Sequence, residues 1–328
     1  MSLIAACILG NLNLAKQLYN DGEDIHAEDD QAFRNACYHG HFETARWLHG
    51  VGCDIHAKND EAFQYVCRKG HLELAQWLHA VGSDIHAEND EAFRSACRNG
   101  HLELARWLHA VGSDIHSEND KAFYWACGKG HLATAKWLYS LGVDIHVEND
   151  RAFRFACLDG HIELARWLHS LGVDIHAEND LAFRYACLSG HLELARWLRS
   201  LGLDIHAEND AAFRYACGNG HLDTAQWLHS IGIGIDVIEA TFEKLRYNQE
   251  EVEVEVEVEV KTWLRSLMPP VALSVISYNE ESVQCPICYE TDALEYVKLP
   301  RCGHIFHKAC IIEWLATNLS CPYCRQEA

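Results

Sequence analysis

A strict 30-residue period runs from Met1 to about Ala240 and gives eight units. A unit this small cannot bury its own apolar face. It must stack on its neighbours, so a period in this range predicts a solenoid. One unit, Glu91 to Asp120, reads EAFRSACRNGHLELARWLHAVGSDIHSEND. From about Glu91 to Asn99, Phe93, Ala96 and Cys97 fall at i, i+3 and i+4 on one helical face. Asp90 is placed to cap this helix, and Gly100 to end it in the left-handed conformation. A second helix is expected over about Leu102 to Val111. Its stripe is Leu104, Ala105, Leu108 and Val111, with Trp107 beside it and Gly112 as its stop. The segment SDIHSEND then turns back toward the next unit. Helices of this length are marginal alone. The expected fold is mostly α, with stability set by contacts between neighbouring units.

These residues resemble the ankyrin family. Gly-His-Leu-Glu at 100–103, the Ala-Cys pair before it and Gly-Ser-Asp-Ile-His at 112–116 carry the likeness through all eight units. The resemblance implies an L-shaped repeat and a curved stack with a concave binding face, an ankyrin-repeat α-solenoid. Two features depart from the family. The usual period is about 33 residues, and Glu-Ala-Phe-Arg stands where the family has Thr-Pro-Leu-His. A shortened β-hairpin finger is expected in consequence. The wording Phe-x-x-Ala-Cys…Trp-Leu…Asp-Ile-His also resembles ankyrin arrays of giant DNA viruses.

The 328-residue chain has a net charge of -21, which opposes nucleic acid and anionic membrane surfaces as general partners. It contains no apolar run approaching the ~20 residues that span a bilayer. The opening MSLIAACILG lacks a basic leader and aligns with the repeat, so it reads as structure. Of the 15 cysteines, one recurs in each unit (Cys7, Cys37, Cys67, Cys97, Cys127, Cys157, Cys187 and Cys217), and Cys53 stands alone as a surface thiol. An odd count on a repeat lattice is unlike a secreted disulfide framework. A reducing compartment is expected, cytoplasm or nucleus, or the host cytoplasm for a viral protein.

The repeated cysteines occupy a small buried position of the family and read as core. The two histidine ladders, His41 to His221 and His26 to His206, repeat at a pitch too long to share a metal, so local hydrogen bonds are expected. By resemblance, the variable pair before each Gly-His borders the groove. Arginine replaces the family histidine at Arg34, Arg94, Arg154, Arg184 and Arg214, beside Tyr65, Trp125, Phe155, Tyr185 and Tyr215. Arginine and aromatic residues are common binding anchors. Arg94, Trp125, Arg154, Tyr185, Arg214 and Tyr215 are therefore candidates for substrate contact, with inter-repeat packing as the alternative for the aromatics.

The pattern fades at Gly234-Ile235-Asp236. A Glu-Val alternation follows, and then Thr262-Trp263-Leu264-Arg265-Ser266-Leu267 echoes Arg196-Trp197-Leu198-Arg199-Ser200-Leu201. Residues 241–268 are expected to form a degenerate ninth, capping unit stretched by the Glu-Val expansion. An acidic solvated spacer is the alternative. Residues 269–284 read as a linker.

The last segment carries eight ligand-type residues: Cys285, Cys288, Cys302, His304, His307, Cys310, Cys321 and Cys324. They fall in four close pairs, enough for two closed tetrahedral zinc sites. The order, with Gly303, Phe306, Trp314-Leu315 and Cys-Pro-x-Cys-Arg, resembles a RING finger of the RING-H2 type over 285–325. The resemblance implies two interleaved structural zincs, one held by Cys285, Cys288, His307 and Cys310, the other by Cys302, His304, Cys321 and Cys324. It also implies that Ile287, Trp314 and Pro322 dock a ubiquitin-conjugating enzyme and that Arg325 positions its ubiquitin. The expected function is a RING-type E3 ubiquitin ligase with no nucleophile of its own, whose repeats hold a protein substrate. The alternative is a scaffold whose RING mediates assembly only.

Overall fold

Gly100 shows why each unit folds as two helices rather than one. Its φ is 77°, and a Cβ at this position would lie 2.4 Å from the His131 ring of the following unit. Only glycine turns the chain here and lets the next unit approach. The computed structural model describes residues 1–247, 255–267, 274–276, 285–289, 295–299, 302–317 and 321–325. They belong to two bodies, Met1–Ala207 and Glu208–Ala328.

The first body is built of helix pairs such as Ala87–Arg98 and Leu102–Ala110. Phe93, Ala96, Cys97, Ala105 and Leu108 are fully buried, and so are their counterparts in the other regular units. Each phenylalanine buried this way contributes roughly 1.5–3 kcal/mol. Histidines join the units: His101 Nε2 sits 3.1 Å from the Arg68 carbonyl oxygen, and His41 Nε2 lies 2.9 Å from that of Ile8. The bonds thus cross between units, where the sequence suggested local ones. Tryptophans pack across units as well, Trp137 lying edge-on to both Phe93 and His109.

The finger, expected to be shortened, contains no strand in Met1–Ala207. Instead Glu88, Asn89 and Asp90 sit at φ 52°, 56° and 59°, and the same three-residue left-handed turn opens seven successive units. Non-glycine residues pay roughly 1–2 kcal/mol each for this conformation. Several hydrogen bonds offset the cost. Arg94 Nη2 donates to the Glu88 carbonyl at 2.7 Å, Arg184 Nη2 to that of Glu178 at 2.6 Å, and Arg34 to that of Glu28 at 2.8 Å. Asp90 does not cap its own helix as expected. Its carboxylate lies 3.0 Å from His86 Nδ1 and accepts the Asp114 backbone N–H at 3.2 Å. Successive turns are linked by Asn89 Nδ2 donating to Glu118 Oε1 at 3.0 Å.

Cys53 is only 4% exposed, which corrects its reading as a surface thiol. It follows the left-handed Gly52, so the chain turns it inward beneath the Ile25 carbonyl. Burial raises the repeat thiols, Cys7 to about 11 and Cys217 to about 12.

In the second body, Ile235–Tyr247 and Glu255–Leu267 are helical. The Glu-Val alternation from 255 to 260 is therefore helix despite its strand-like period, while 248–254 lies outside the described residues. Val260 and Leu264, at i and i+4, are fully buried, and this burial overrides the local strand preference. Trp263 meets Phe213 and His229 at 6.4 and 6.0 Å, the same partner types that hold Trp137. Ser274–Ile276 (β1), within the expected linker, pairs antiparallel with Tyr296–Lys298 (β2), which pairs with Ile305–His307 (β3). The Lys308–Thr317 helix follows. Cys285, Val297, Leu299, Phe306, Ile311, Leu315 and Cys321 form the core of this module.

Two outcomes follow from the array. Iodoacetamide at neutral pH leaves Cys53 and the eight repeat cysteines unmodified in the folded protein and labels them after unfolding, as peptide mass spectrometry reads it. Arg184→Met, which keeps the aliphatic stem but removes the donors to the left-handed turn, lowers the urea midpoint by an amount corresponding to about 1–3 kcal/mol.

Candidate metal centres and docking surface

The first and last ligand pairs sit on matching turns. Tyr289 N–H donates to the Cys285 carbonyl at 2.8 Å, and Arg325 N–H to that of Cys321 at 2.9 Å. The residue after each pair is left-handed, Tyr289 at φ 62° and Arg325 at φ 59°. Between them, Gly303 at φ 73° lets its N–H reach the Leu299 carbonyl at 2.9 Å and sets Cys302 and His304 on a tight loop. His307 ends β3, and Cys310 lies in the first turn of the following helix.

The fold gathers the eight residues into the two expected sets. The donor atoms of Cys285, Cys288, His307 and Cys310 lie within 4.8 Å of one another, as do those of Cys302, His304, Cys321 and Cys324. Cys288 Sγ is 3.3 Å from His307 Nδ1, and Cys321 Sγ is 3.6 Å from His304 Nδ1. A tetrahedral zinc with ordinary Zn–S and Zn–N lengths separates such atoms by about 3.6 Å. Each set offers three thiolates and one imidazole, the chemistry of a closed structural site. The His307 backbone N–H points at Cys285 Sγ from 3.5 Å, a contact that supports a thiolate. The residues fit two zinc ions, and four protein ligands per ion leave no position for a substrate.

The residues that the RING resemblance assigns to docking differ in exposure. Ile287 packs partly against it, Pro322 is half-buried, Trp314 is 36% exposed and Arg325 is exposed. Sequence reasoning passed over three further large apolar side chains that are exposed here: Tyr289, Ile312 and Tyr323. Their signal was adjacency to ligands in a module too small to bury every apolar residue. Arg265 is also missed by sequence reasoning, which only aligns it with Arg199. Its Nε and Nη2 both donate to the Leu315 carbonyl, at 3.2 and 3.1 Å, and satisfy an oxygen near the end of the Lys308–Thr317 helix. Burial of Arg265 lowers its pKa.

The repeat candidates have varied surroundings. Arg94 is buried and bonded to its own turn and to Glu91 at 2.9 Å. Arg154 and Arg214 donate to the carbonyls of Glu148 and Glu208. Trp125 is half-buried, with the Arg98 guanidinium 4.9 Å and the Lys121 ammonium 4.8 Å from its ring. Tyr185 is half-buried and Tyr215 exposed.

The family described as ankyrin repeats matches residues 63–149, 153–239 and 33–79, and that described as Ring finger domain matches residues 283–325. Among curated relatives, E3 ubiquitin-protein ligase RNF181 of Mus musculus is 39% identical over 74 residues, 20% of this chain and 45% of that protein. E3 ubiquitin-protein ligase RNF126 of Mus musculus is 43% identical over 60 residues, 17% of this chain and 19% of that protein. E3 ubiquitin-protein ligase AIRP1 of Arabidopsis thaliana is 43% identical over 51 residues, 15% of this chain and 33% of that protein. The chain thus spans less than half the length of each of these three. Among the described residues no helix is long and apolar enough to cross a membrane. The repeats match over more than half of the sequence and the zinc module over its whole ligand set, so the chain belongs to the ankyrin-repeat proteins and carries a RING finger on the C-terminal side of its repeats.

Proposed function

We propose that this chain is a RING-type E3 ubiquitin-protein ligase whose repeats hold a protein substrate. What carries the reading is a closed two-zinc module with Ile287, Trp314, Pro322 and Arg325 on or near its surface, in a segment similar to proteins named as such ligases. Bound zinc supplies shape, because every coordination position belongs to the protein. Ile287, Trp314 and Pro322 offer an apolar seat to a ubiquitin-conjugating enzyme. Arg325, with several donors in a fixed plane, orients the ubiquitin carried on that enzyme. The attacking lysine comes from the substrate and the thioester from the partner. Rate is gained by positioning two macromolecules and needs no nucleophile of this chain. Linking a recognition array to the module raises the local concentration of substrate lysines.

The proposed organisation is eight repeats over 1–240, a ninth capping unit over 241–268, a connection over 269–284 and the RING over 285–325. Support for the cap comes from Trp263, whose ring partners match those of regular units, and from buried Phe242 and Leu264. Arg94, Trp125, Arg154, Tyr185, Arg214 and Tyr215 stand as the substrate-side candidates. Of the six, Tyr215 offers the most open surface. The site of action proposed is the cytoplasm or nucleus.

Autoubiquitination with a panel of conjugating enzymes tests the ligase reading. Ile287→Ala lowers the rate at least about ten-fold by weakening docking. Arg325→Ala lowers it while leaving conjugating-enzyme binding in place. Folded, zinc-loaded protein that is inactive with every partner would instead favour a scaffold. Zinc binding contributes on the order of 10 kcal/mol to such modules. A strong chelator therefore abolishes activity and releases two zinc ions per chain, while helical circular dichroism from the repeats persists.

A further inference from the structure

The pair of residues before each Gly-His is free to vary in sequence, and its charge is distributed unevenly. Units in the first part of the array carry Tyr38-His39, Arg68-Lys69, Arg98-Asn99 and Gly128-Lys129. Later units carry Leu158-Asp159 and Leu188-Ser189. A cleft of about 350 Å³ opens among the basic pairs, lined by Tyr38, Arg68, Lys69, Asn99 and His101. Arg68 and Lys69 are exposed, at the C-terminal end of the Ala57–Lys69 helix.

Acidic residues outnumber Lys and Arg by 48 to 27, and some cations of the array are held by carboxylates: Arg34 with Glu61, Lys58 with Asp29, Arg151 with Glu148, Lys129 with Asp159. Among the described residues, Arg68, Lys69 and Arg98 have no carboxylate in ion-pair contact. Aromatic rings hold two of them in place, with the Lys69 ammonium 4.4 Å from the Tyr38 ring centre and the Arg98 guanidinium 4.9 Å from that of Trp125. Favourable interaction with the helix dipole accounts for basic residues in a last turn. It does not account for a cleft beside them. His101 braces the floor, its Nε2 3.1 Å from the Arg68 carbonyl oxygen. The basic row ends where Asp159 neutralises Lys129 at 2.8 Å.

We propose that the cleft between Tyr38, Arg68, Lys69, Asn99 and His101 is an anion site that takes an acidic segment of a protein substrate. This rests on the reading of the repeats as the substrate arm and adds a chemical class to it. The Arg68 fork holds a carboxylate or phosphoryl group through two parallel hydrogen bonds. Lys69 adds a second charge, and the Tyr38 ring gives the peptide stem an apolar wall. The repulsive net charge elsewhere confines acidic ligands to this cleft.

Fluorescence anisotropy on the full zinc-loaded chain tests the proposal, with a short fluorescein-labelled oligoglutamate peptide and a phosphoserine-containing peptide of equal length. Either peptide binds, with affinity falling as salt rises, and the stronger of the two identifies the carboxylate or the phosphoryl source. Arg68→Gln and Lys69→Gln each weaken binding about ten-fold without changing the thermal midpoint. The double variant Arg166→Gln/Arg196→Gln removes the same net charge from the second helices of other units and binds as the unaltered chain does. Three results would overturn the proposal: no binding of either peptide, undiminished binding by Arg68→Gln/Lys69→Gln, or equal loss in the Arg166/Arg196 control. The assay contains no conjugating enzyme. Peptide binding without ubiquitin transfer would count against the ligase reading alone, and transfer without peptide binding against the anion site alone.

Discussion

The structure depends on the close approach of one repeat to the next. Gly100 has no side chain, so the His131 ring occupies the space a Cβ would fill. The same contact recurs from Gly10 with His41 to Gly160 with His191. Once this distance is fixed, Phe93, Ala96, Cys97 and Leu108 are sealed from water, and helices too short to survive alone become stable. Alanine and cysteine recur at the buried positions because larger side chains would push neighbouring helices apart. The repeated thiols are a consequence of packing density, and burial raises their pKa values.

Missing residues between units impose a second constraint. Where a longer repeat has room for a hairpin, this one reverses direction through three left-handed residues. The conformation is costly for Glu and Asp, and side chains that bond its carbonyls support it. Arg94, Arg154 and Arg184 do so, and Gln64 does the same from a different side chain, donating to the Asn59 carbonyl at 2.9 Å. This explains why arginine stands at the position the longer family fills with histidine. It also narrows the meaning of an arginine stripe in such arrays, since a guanidinium that holds its own backbone has fewer donors left for a partner.

The RING module faces the same shortage of buried surface and meets it with metal. Seven residues form its core, two of them zinc ligands. With coordination complete at both sites, the module offers surface as its chemistry. The Arg265 bonds to the Leu315 carbonyl tie the Glu255–Leu267 helix to the helix that bears Trp314. The helix that bears Trp314 is therefore braced from outside the RING.

The sequence by itself determined the repeat, its helix pairs, the core positions and the two sets of four Cys and His residues that fit zinc. Each of these follows from local spacing: a period, a helical face, a pair two residues apart. Only the tertiary structure decided the rest. The Glu-Val alternation has a strand-like period, yet its 255–260 part is helix, where Val260 and Leu264 are buried. Asp90 reads as a cap and instead bridges His86 and the Asp114 backbone, a partner 24 residues away. Cys53 turns inward, β1 emerges from an expected linker to pair with β2, and Arg265 meets a carbonyl 50 residues on. These features share one physical cause. Each depends on what a side chain or a strand edge meets across space, and sequence spacing encodes such meetings only where a repeat or a metal forces them.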